Sequence, residues 1–439
     1  MIFLKIAFRN VIKNWRHSLS ALLSLSASFV SLVLFDGYID DIKKMYDDSF
    51  RHRQMLGDLI IEKPEIHQKV GLAEPWNFWF TEDEQVIIDN FLKENKKIVK
   101  ERVRSLSVQG LLSNGNQSAI FIGRGYDLIE GDRIRGPGWS WNATVGVPLQ
   151  EVQNDFGIML GQGLARKLGC HWENKKNILK SYGGYEAVER PFECLRTDLQ
   201  ISTMTADAQL NAIDVEVVGL MDAGYKDIDD RFIQMSLPAA QTLMNTKKVT
   251  YVAVELKDPK FLSVFLEKFQ SEVETKILGA KAMSWLDHPT GETFIKTMDM
   301  MAIFRNFVVV VILLISTLSV FNTLIKIIKE RTREIGTLRS LGFTISQVQR
   351  MFFIETILLA CLGTALGMVS ALVLTIVLNS MKILYKAGLL SDPVLFRINF
   401  TPVAYMSAFL ILIGVSLLAC WISIRSSLSK KVIDNLNHA

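Results

Sequence analysis

Cys170-His171 is the one place in this chain where a thiol and an imidazole are neighbours, the two groups from which a thiolate nucleophile and its base are built. Adjacent side chains on a strand or helix point apart, and no third group stands by to orient the pair, so this chemistry is not expected. Cys170 and Cys194 are instead a candidate disulfide, while Cys361 and Cys420 fall inside apolar runs and read as small core residues. Asp227, Asp229 and Asp230 lack the glycine and distal glutamate of a calcium loop and read as a solvated turn. The six histidines are scattered, without HExxH or paired Cys/His zinc spacing. No GxxxxGK[ST] phosphate cradle is present, and Gly123-Arg124-Gly125 is too short to replace one. No catalytic residue, metal ligand or cofactor is therefore expected on this chain, and any ATP must be handled by another polypeptide.

With so little to react, the question becomes what the chain positions. Of its 439 residues 49% are hydrophobic, and they concentrate in Leu19–Phe35, Phe307–Ile325, Thr356–Met381 and Ile398–Ile424. A helix rising 1.5 Å per residue needs about 20 apolar residues to cross the hydrocarbon of a bilayer, so four transmembrane helices are predicted. Ser26-Ala27-Ser28 could mark a cleaved leader, but the apolar run continues to Phe35, which suits an anchor. Lys5, Arg9, Lys13 and Arg16 precede the first run, and the loop 326–350 carries six bases against two acids. The positive-inside bias then puts both termini and that loop in the cytoplasm. The net charge of +4 follows this topology and is no nucleic-acid footprint.

The expected order is a cytoplasmic amphipathic helix 1–17, spans at 18–38, 303–328, 352–381 and 399–424, and a cytoplasmic segment 329–350. A large α+β domain at 39–297, a short external loop 382–398 and a cytoplasmic tail 425–439 complete it. Within the domain, 58–62, 118–123, 213–221 and 249–256 read as strands, and 82–95, 161–169, 237–245 and 260–277 as helices. Gly-rich and polar text suggests an inserted subdomain at about 131–212. Two aromatic loops, "EPWNFWF" with Trp76 and Trp79 and "GPGWSW" with Trp139 and Trp141, are candidate contacts for substrate or partner. Ser20, Ser24 and Ser28, and the pair Gly363 and Gly367, are small-residue faces for helix packing or a dimer interface. Arg305 and Glu355 sit at span edges, where either side chain can reach water, so no ionisable transport path is read in the membrane.

"KERTREIGTLRSLGF" (329–343) places six charges in fifteen residues between two spans. Extended to "ERTREIGTLRSLGFTISQVQRMFFIETILLACLGTALG" (330–367), it closely resembles the signature of FtsX/MacB-type ABC permeases. The domain text "GIMLGQGLARKLG" (157–169) and "IDVEVVGLMDAGYKDIDDRFIQMSLPAAQTLM" (213–244) is similar to the lipoprotein-releasing LolC/LolE branch. "SAIFIGRGYD" (118–127) resembles the strand before that branch's inserted subdomain, without the usual proline. The resemblance implies a multi-pass bacterial inner-membrane permease with a periplasmic domain. It also implies a second permease, identical or homologous, and two copies of a cytoplasmic ATPase that carries the ATP and Mg, besides membrane lipid and a candidate periplasmic protein partner. It makes 329–350 a rigid lever and coupling helix, with Glu330, Arg331, Glu334, Arg339, Leu341, Gly342, Thr344, Ser346 and Gln347 as coupling residues. The expected function is mechanotransmission that extracts or extrudes a lipoprotein or other amphiphile. The alternative is an FtsX-like regulator that switches an envelope hydrolase and moves no substrate.

Overall fold

The computed structural model describes residue 9 and residues 15–173, 191–205, 207–224, 226–385 and 393–428. Most of the expected amphipathic helix 1–17 and most of the tail 425–439 lie outside the described residues. Along the chain come helix α1 (Trp15–Asp48), β1 (Leu59–Glu62), α2 (Glu82–Glu94), β2 (Val99–Ser113), β3 (Ser118–Tyr126), α3 (Leu128–Trp139), β4 (Val145–Gly146), β5 (Gly157–Gly161) and α4 (Gln162–Lys167). Then follow β6 (Cys170–Trp172), β7 (Phe192–Cys194), β8 (Asp198–Met204), β9 (Leu210–Met221), β10 (Phe232–Ser236), α5 (Leu237–Leu243), β11 (Tyr251–Leu256), α6 (Leu262–Glu272) and β12 (Lys281–Ser284). The remainder is α7 (Pro289–Glu330), α8 (Thr332–Ser340), α9 (Ile345–Ser380), the short strands β13 (Leu384–Tyr385) and β14 (Val394–Leu395), and α10 (Pro402–Leu428).

Two compact units result: Met1–Ile42 with Met298–Ile383 and Phe396–Ala439, and Lys43–Thr297 with Leu384–Leu395. The first unit is helical. Its core joins Leu25 and Phe29 of α1, Leu324 and Ile327 of α7, Phe352 and Ala360 of α9, and Leu412 and Ala419 of α10. On α7, Phe307, Val310, Leu314 and Leu318 recur at helical spacing yet stay exposed, an apolar face that lipid suits and water does not. Among the described residues four helices, α1, α7, α9 and α10, are long and apolar enough to cross a membrane. Helices α1 and α7 overrun their predicted spans at both ends, because a helix does not stop where hydropathy falls when good helix formers such as Lys43, Lys44 and Met45 of α1 follow.

The second unit is the α+β domain between the first and second membrane helices. Its ten-stranded sheet has the order β12-β1-β11-β2-β3-β10-β5-β9-β4, with β8 pairing β2 and β9. Helix α2 opens with a capping box in which Thr81 Oγ1 accepts from the Glu84 amide and Glu84 accepts from the Thr81 amide. Glu82, Asp83 and Glu84 suit its N-terminal dipole. The helix buries Ile88, Phe91 and Leu92, and Phe91 meets Phe265 and Phe269 of α6 edge-on. Three expectations need correction. The segment 131–212 is no separate subdomain, since β4, β5 and β8 are strands of the one sheet. "GPGWSW" is not an open loop, because α3 runs to Trp139 across a kink at Gly136. The loop at 382–398 is not plain loop, for β13 pairs with β14, and its Leu384–Leu395 belongs with the domain, where Val394 is buried beside Met45 and Trp139.

Candidate functional site

Two places carry the residues singled out by the sequence. The first is the charged segment between α7 and α9. Its chain turns at Arg331, but the helical ladder barely breaks, for the Arg331 amide donates to Ile327 O at 3.1 Å and the Ile335 amide to Arg331 O at 2.9 Å. The lever is therefore two helical pieces joined at Arg331. The Arg331 guanidinium turns inward and meets the Glu355 carboxylate of α9 at 3.1 Å. Glu355 is only 1% exposed and Arg331 6%, so Glu355 does not reach water at the edge of its span as the sequence suggested. Burying both charges is tolerable because each supplies the other's countercharge. Glu334 lies 4.0 Å from Arg331 and points to solvent, as Glu330 does. The Arg339 side chain lies outside the described residues.

Helix α8 ends at Ser340, and Gly342 reverses the chain with φ +94°, a left-handed conformation open to glycine. Thr344 then caps α9: its Oγ1 accepts from the Gln347 amide, and Gln347 Oε1 accepts from the Thr344 amide at 2.9 Å. No separate coupling helix exists, since Thr344–Gln347 is the capped first turn of the 36-residue α9. Leu341, Phe343 and Ile345 are exposed at this tip, Leu341 by 74%, and Ser346 is exposed beside them. An exposed apolar cluster at a bend flanked by charge offers contact area rather than a reactive group.

Gly363 and Gly367 pack inside the chain. A Cβ built on Gly363 would stand 2.9 Å from Leu25 Cβ, and one on Gly367 2.8 Å from Phe29 Cβ, so this pair seats α9 on α1 and is not a free dimer face. The serine stripe is not one face either: Ser28 is buried, Ser24 half-buried and Ser20 exposed.

The second place is a cavity of about 980 Å³ in the domain, walled by Ile60, Ile66, Trp76, Trp79, Phe121 and Ile122, with Arg53 and Arg124 among its polar groups. Trp76 and Trp79, predicted as contacts, do line it. Trp139 and Trp141 are not among its lining residues. Trp139 is buried, donates Nε1 to Asp48 at 2.8 Å and lies under the Arg53 guanidinium.

Around this cavity runs a polar framework that the sequence did not reveal. Arg53 pairs with Asp222 at 2.9 Å and Arg51 with Asp58 at 2.6 Å. His52 bridges Asp48 at 2.7 Å and Glu255 at 3.2 Å, and the hydrogen bond to Asp48, followed by that to Glu255, raises its pKa to about 9. Asp229 is no solvated turn: it is buried and accepts from the amides of Gln162, Gly163 and Ala223. Its burial, with the Asp222 carboxylate next in effect, pushes it up to about 6. The histidines are not all scattered. Glu62 accepts from His67 at 2.8 Å and lies 3.2 Å from His288, and all three line the cavity. Burial alone would raise the Glu62 carboxyl, but the bonds from His288 and His67 outweigh it and hold it at about 2. Cys170 and Cys194 stand opposite each other in the β6–β7 hairpin and are joined by a disulfide.

Residues 306–432 match the family model described as FtsX-like permease C-terminal. The macrolide export ATP-binding/permease protein MacB of Escherichia coli (strain K12) is 30% identical over 145 residues, which is 33% of this chain and 21% of that protein. MacB of Shigella flexneri matches to the same extent. The chain thus spans about a fifth of the length of the curated relatives it matches. Among solved structures, the extracellular domain of the noncanonic ABC-type transporter YknZ from Gram-positive bacteria covers 52% of this chain and 98% of its own, at 14% identity and a TM-score of 0.32. The periplasmic region of MacB from Actinobacillus actinomycetemcomitans covers 58% and 98%, at 11% identity and a TM-score of 0.30. Residues 306–432 thus carry an FtsX-like permease C-terminal region, in a chain whose α+β domain stands between the first two of the four apolar helices found among the described residues.

Proposed function

We propose that this chain is the membrane subunit of a bacterial inner-membrane ABC transporter that works by transmitting movement. In this reading a separate ATPase, present in two copies with its ATP and Mg, docks on the tip around Leu341 and Gly342. A second permease, identical or homologous, completes the membrane part. Both termini and the tip face the cytoplasm, and the domain faces the periplasm. The exposed apolar tip, held against α9 through the Arg331–Glu355 pair, is the observation that carries the proposal. A push on the tip reaches α9 directly, because the capping box makes Thr344 the start of one unbroken helix.

The cargo is a lipoprotein or another amphiphile. The cavity supports this class: its walls are mostly aliphatic and aromatic, which suits an acyl chain, and Arg124, whose hydrogen bonds go to the uncharged Gln54 and Tyr251, offers a cation for a polar head. The test is purification of the full chain from native membranes, with identification of the proteins and lipidated molecules that come with it. An ATPase should copurify with the wild type and be lost from Leu341→Asp, while the variant keeps its elution volume and helix content. Absence of any ATPase from the wild type would sink the reading, and a bound envelope hydrolase without cargo would favour the regulator instead.

A further inference from the structure

We propose that Glu62, His67 and His288 form a site for one divalent first-row transition metal ion, zinc by the chemistry of its donors, in the wall of the domain cavity. Glu62 and His67 lie five residues apart, and the sheet brings the distant His288 to them. Glu62 ends β1, His67 ends the tight helical turn Pro64–His67 that follows, and His288 immediately precedes α7. Antiparallel pairing of β1 with β12, in the register Glu62 to Lys281, returns the later strand to the end of the earlier one. His288 lies seven residues beyond Lys281 and so comes back beside Glu62.

The donor atoms converge. Nε2 of His67 and Nε2 of His288 lie 2.8 Å and 3.2 Å from the same Glu62 oxygen, and one ligand atom from each residue falls within 4.8 Å of the others. Ligands about 2.1 Å from a tetrahedral zinc stand about 3.4 Å from one another, so small side-chain movements open room for an ion where the hydrogen bonds now meet. The two rings cross edge to face, with centroids 5.0 Å apart, which leaves both nitrogens free to aim at one point. Two imidazoles and a carboxylate are borderline donors suited to zinc, and three protein ligands leave a fourth position for water on the cavity side. Glu62 and His288 are buried, whereas the His67 side chain is 38% exposed and gives an ion its way in.

One contact opposes the ion. His288 Nδ1 accepts from the Thr290 amide at 3.1 Å, whereas a metal on Nε2 requires the proton on Nδ1. That bond must be released on binding. Thr290 is exposed and lies in the first turn of α7, where amides have no partner within the helix and can turn to water. The bound ion would clamp β1 to the residue at which the chain leaves the sheet for α7.

The full chain, carrying an affinity tag free of histidine and stripped with a chelator, is titrated with zinc against a chromophoric competitor. One zinc per chain is expected, and Glu62→Gln, His67→Gln and His288→Gln should each weaken binding by about 10-fold or more. Zinc should also raise the melting temperature of the wild type and leave that of His67→Gln/His288→Gln unmoved. Zinc-edge X-ray absorption on the wild type reads the ligands without recourse to variants, and two imidazoles are expected. Failure to hold zinc, equal affinity in all three variants, or an imidazole count other than two would overturn the proposal.

Discussion

Arg331 and Glu355 meet at 3.1 Å in the interior of the membrane unit, one at the turn between α7 and α8 and the other two turns beyond the capping box that begins α9. Each is buried, so neither charge can be left alone cheaply. Removing one partner of a buried pair costs about 3–5 kcal/mol, whereas replacing both by apolar groups is often neutral. Glu355→Gln should therefore lower the melting temperature of the detergent-solubilised chain sharply, and Arg331→Met/Glu355→Leu should recover much of the loss. A double variant as unstable as the single one would show that the pair is not the energetic unit described.

Gly363→Val places a branched side chain where Leu25 Cβ already stands within 2.9 Å of the would-be Cβ. Overpacking of this kind costs about 1–3 kcal/mol. The expected outcome is a less stable chain with an unchanged oligomeric state by native mass measurement. A selective loss of dimer with full thermal stability would return this face to the interface between permeases.

His52 makes the domain's stability depend on alkaline pH. Its folded pKa, about 9, exceeds the ordinary 6.5 because Asp48 and Glu255 favour the imidazolium. The stabilisation is fully present below pH 6.5 and is lost as pH rises through 9. Thermal melts of the wild type should fall across that window, and His52→Gln should flatten the fall. An identical slope in the variant would remove His52 as its source.

The Cys170–Cys194 bridge closes a loop with a sequence separation of 24. Constraint of an unfolded loop of that length contributes about 3 kcal/mol. Cys170→Ala/Cys194→Ala should melt earlier than the wild type, and reductant should affect the wild type alone. Equal melting of the two proteins would contradict the estimate.

Leu341 supplies a control for these stability effects. It is exposed and belongs to no buried cluster, so Leu341→Asp should leave the stability within about 0.5 kcal/mol of the wild type while abolishing ATPase capture. A large loss of stability would mean that the tip packs against something within its own unit.

The membrane helices were legible because a bilayer demands long apolar runs, and strands β1, β3, β9 and β11 because their β-branched residues sit close together. Strand β2 was not legible: in "VKERVRSLSVQGLLS" Leu106, Val108 and Leu112 are buried in one core cluster and Val103 in another, and the charges and serines between them mask the period. Trp139 reads as a loop aromatic because Gly136-Pro137-Gly138 resembles a turn, whereas Gly136, at φ 65°, only kinks α3. Arg331–Glu355 was half visible, both residues having been noticed for other reasons. His288 could not have been joined to Glu62 and His67 from spacing, since only the β1–β12 register brings it back to them.

Two glycines of this chain should give opposite answers in a saturation screen for viable variants. Gly342 has φ +94° and nothing within 4 Å of a would-be Cβ, so its constraint is conformational, and asparagine should outperform alanine there whatever its bulk. Gly363 lies in a regular helix with Leu25 pressed against it, so its constraint is volume, and alanine should outperform asparagine. The rank order of tolerated residues at the two sites would distinguish a joint in the chain from a seat between helices without any measurement of structure.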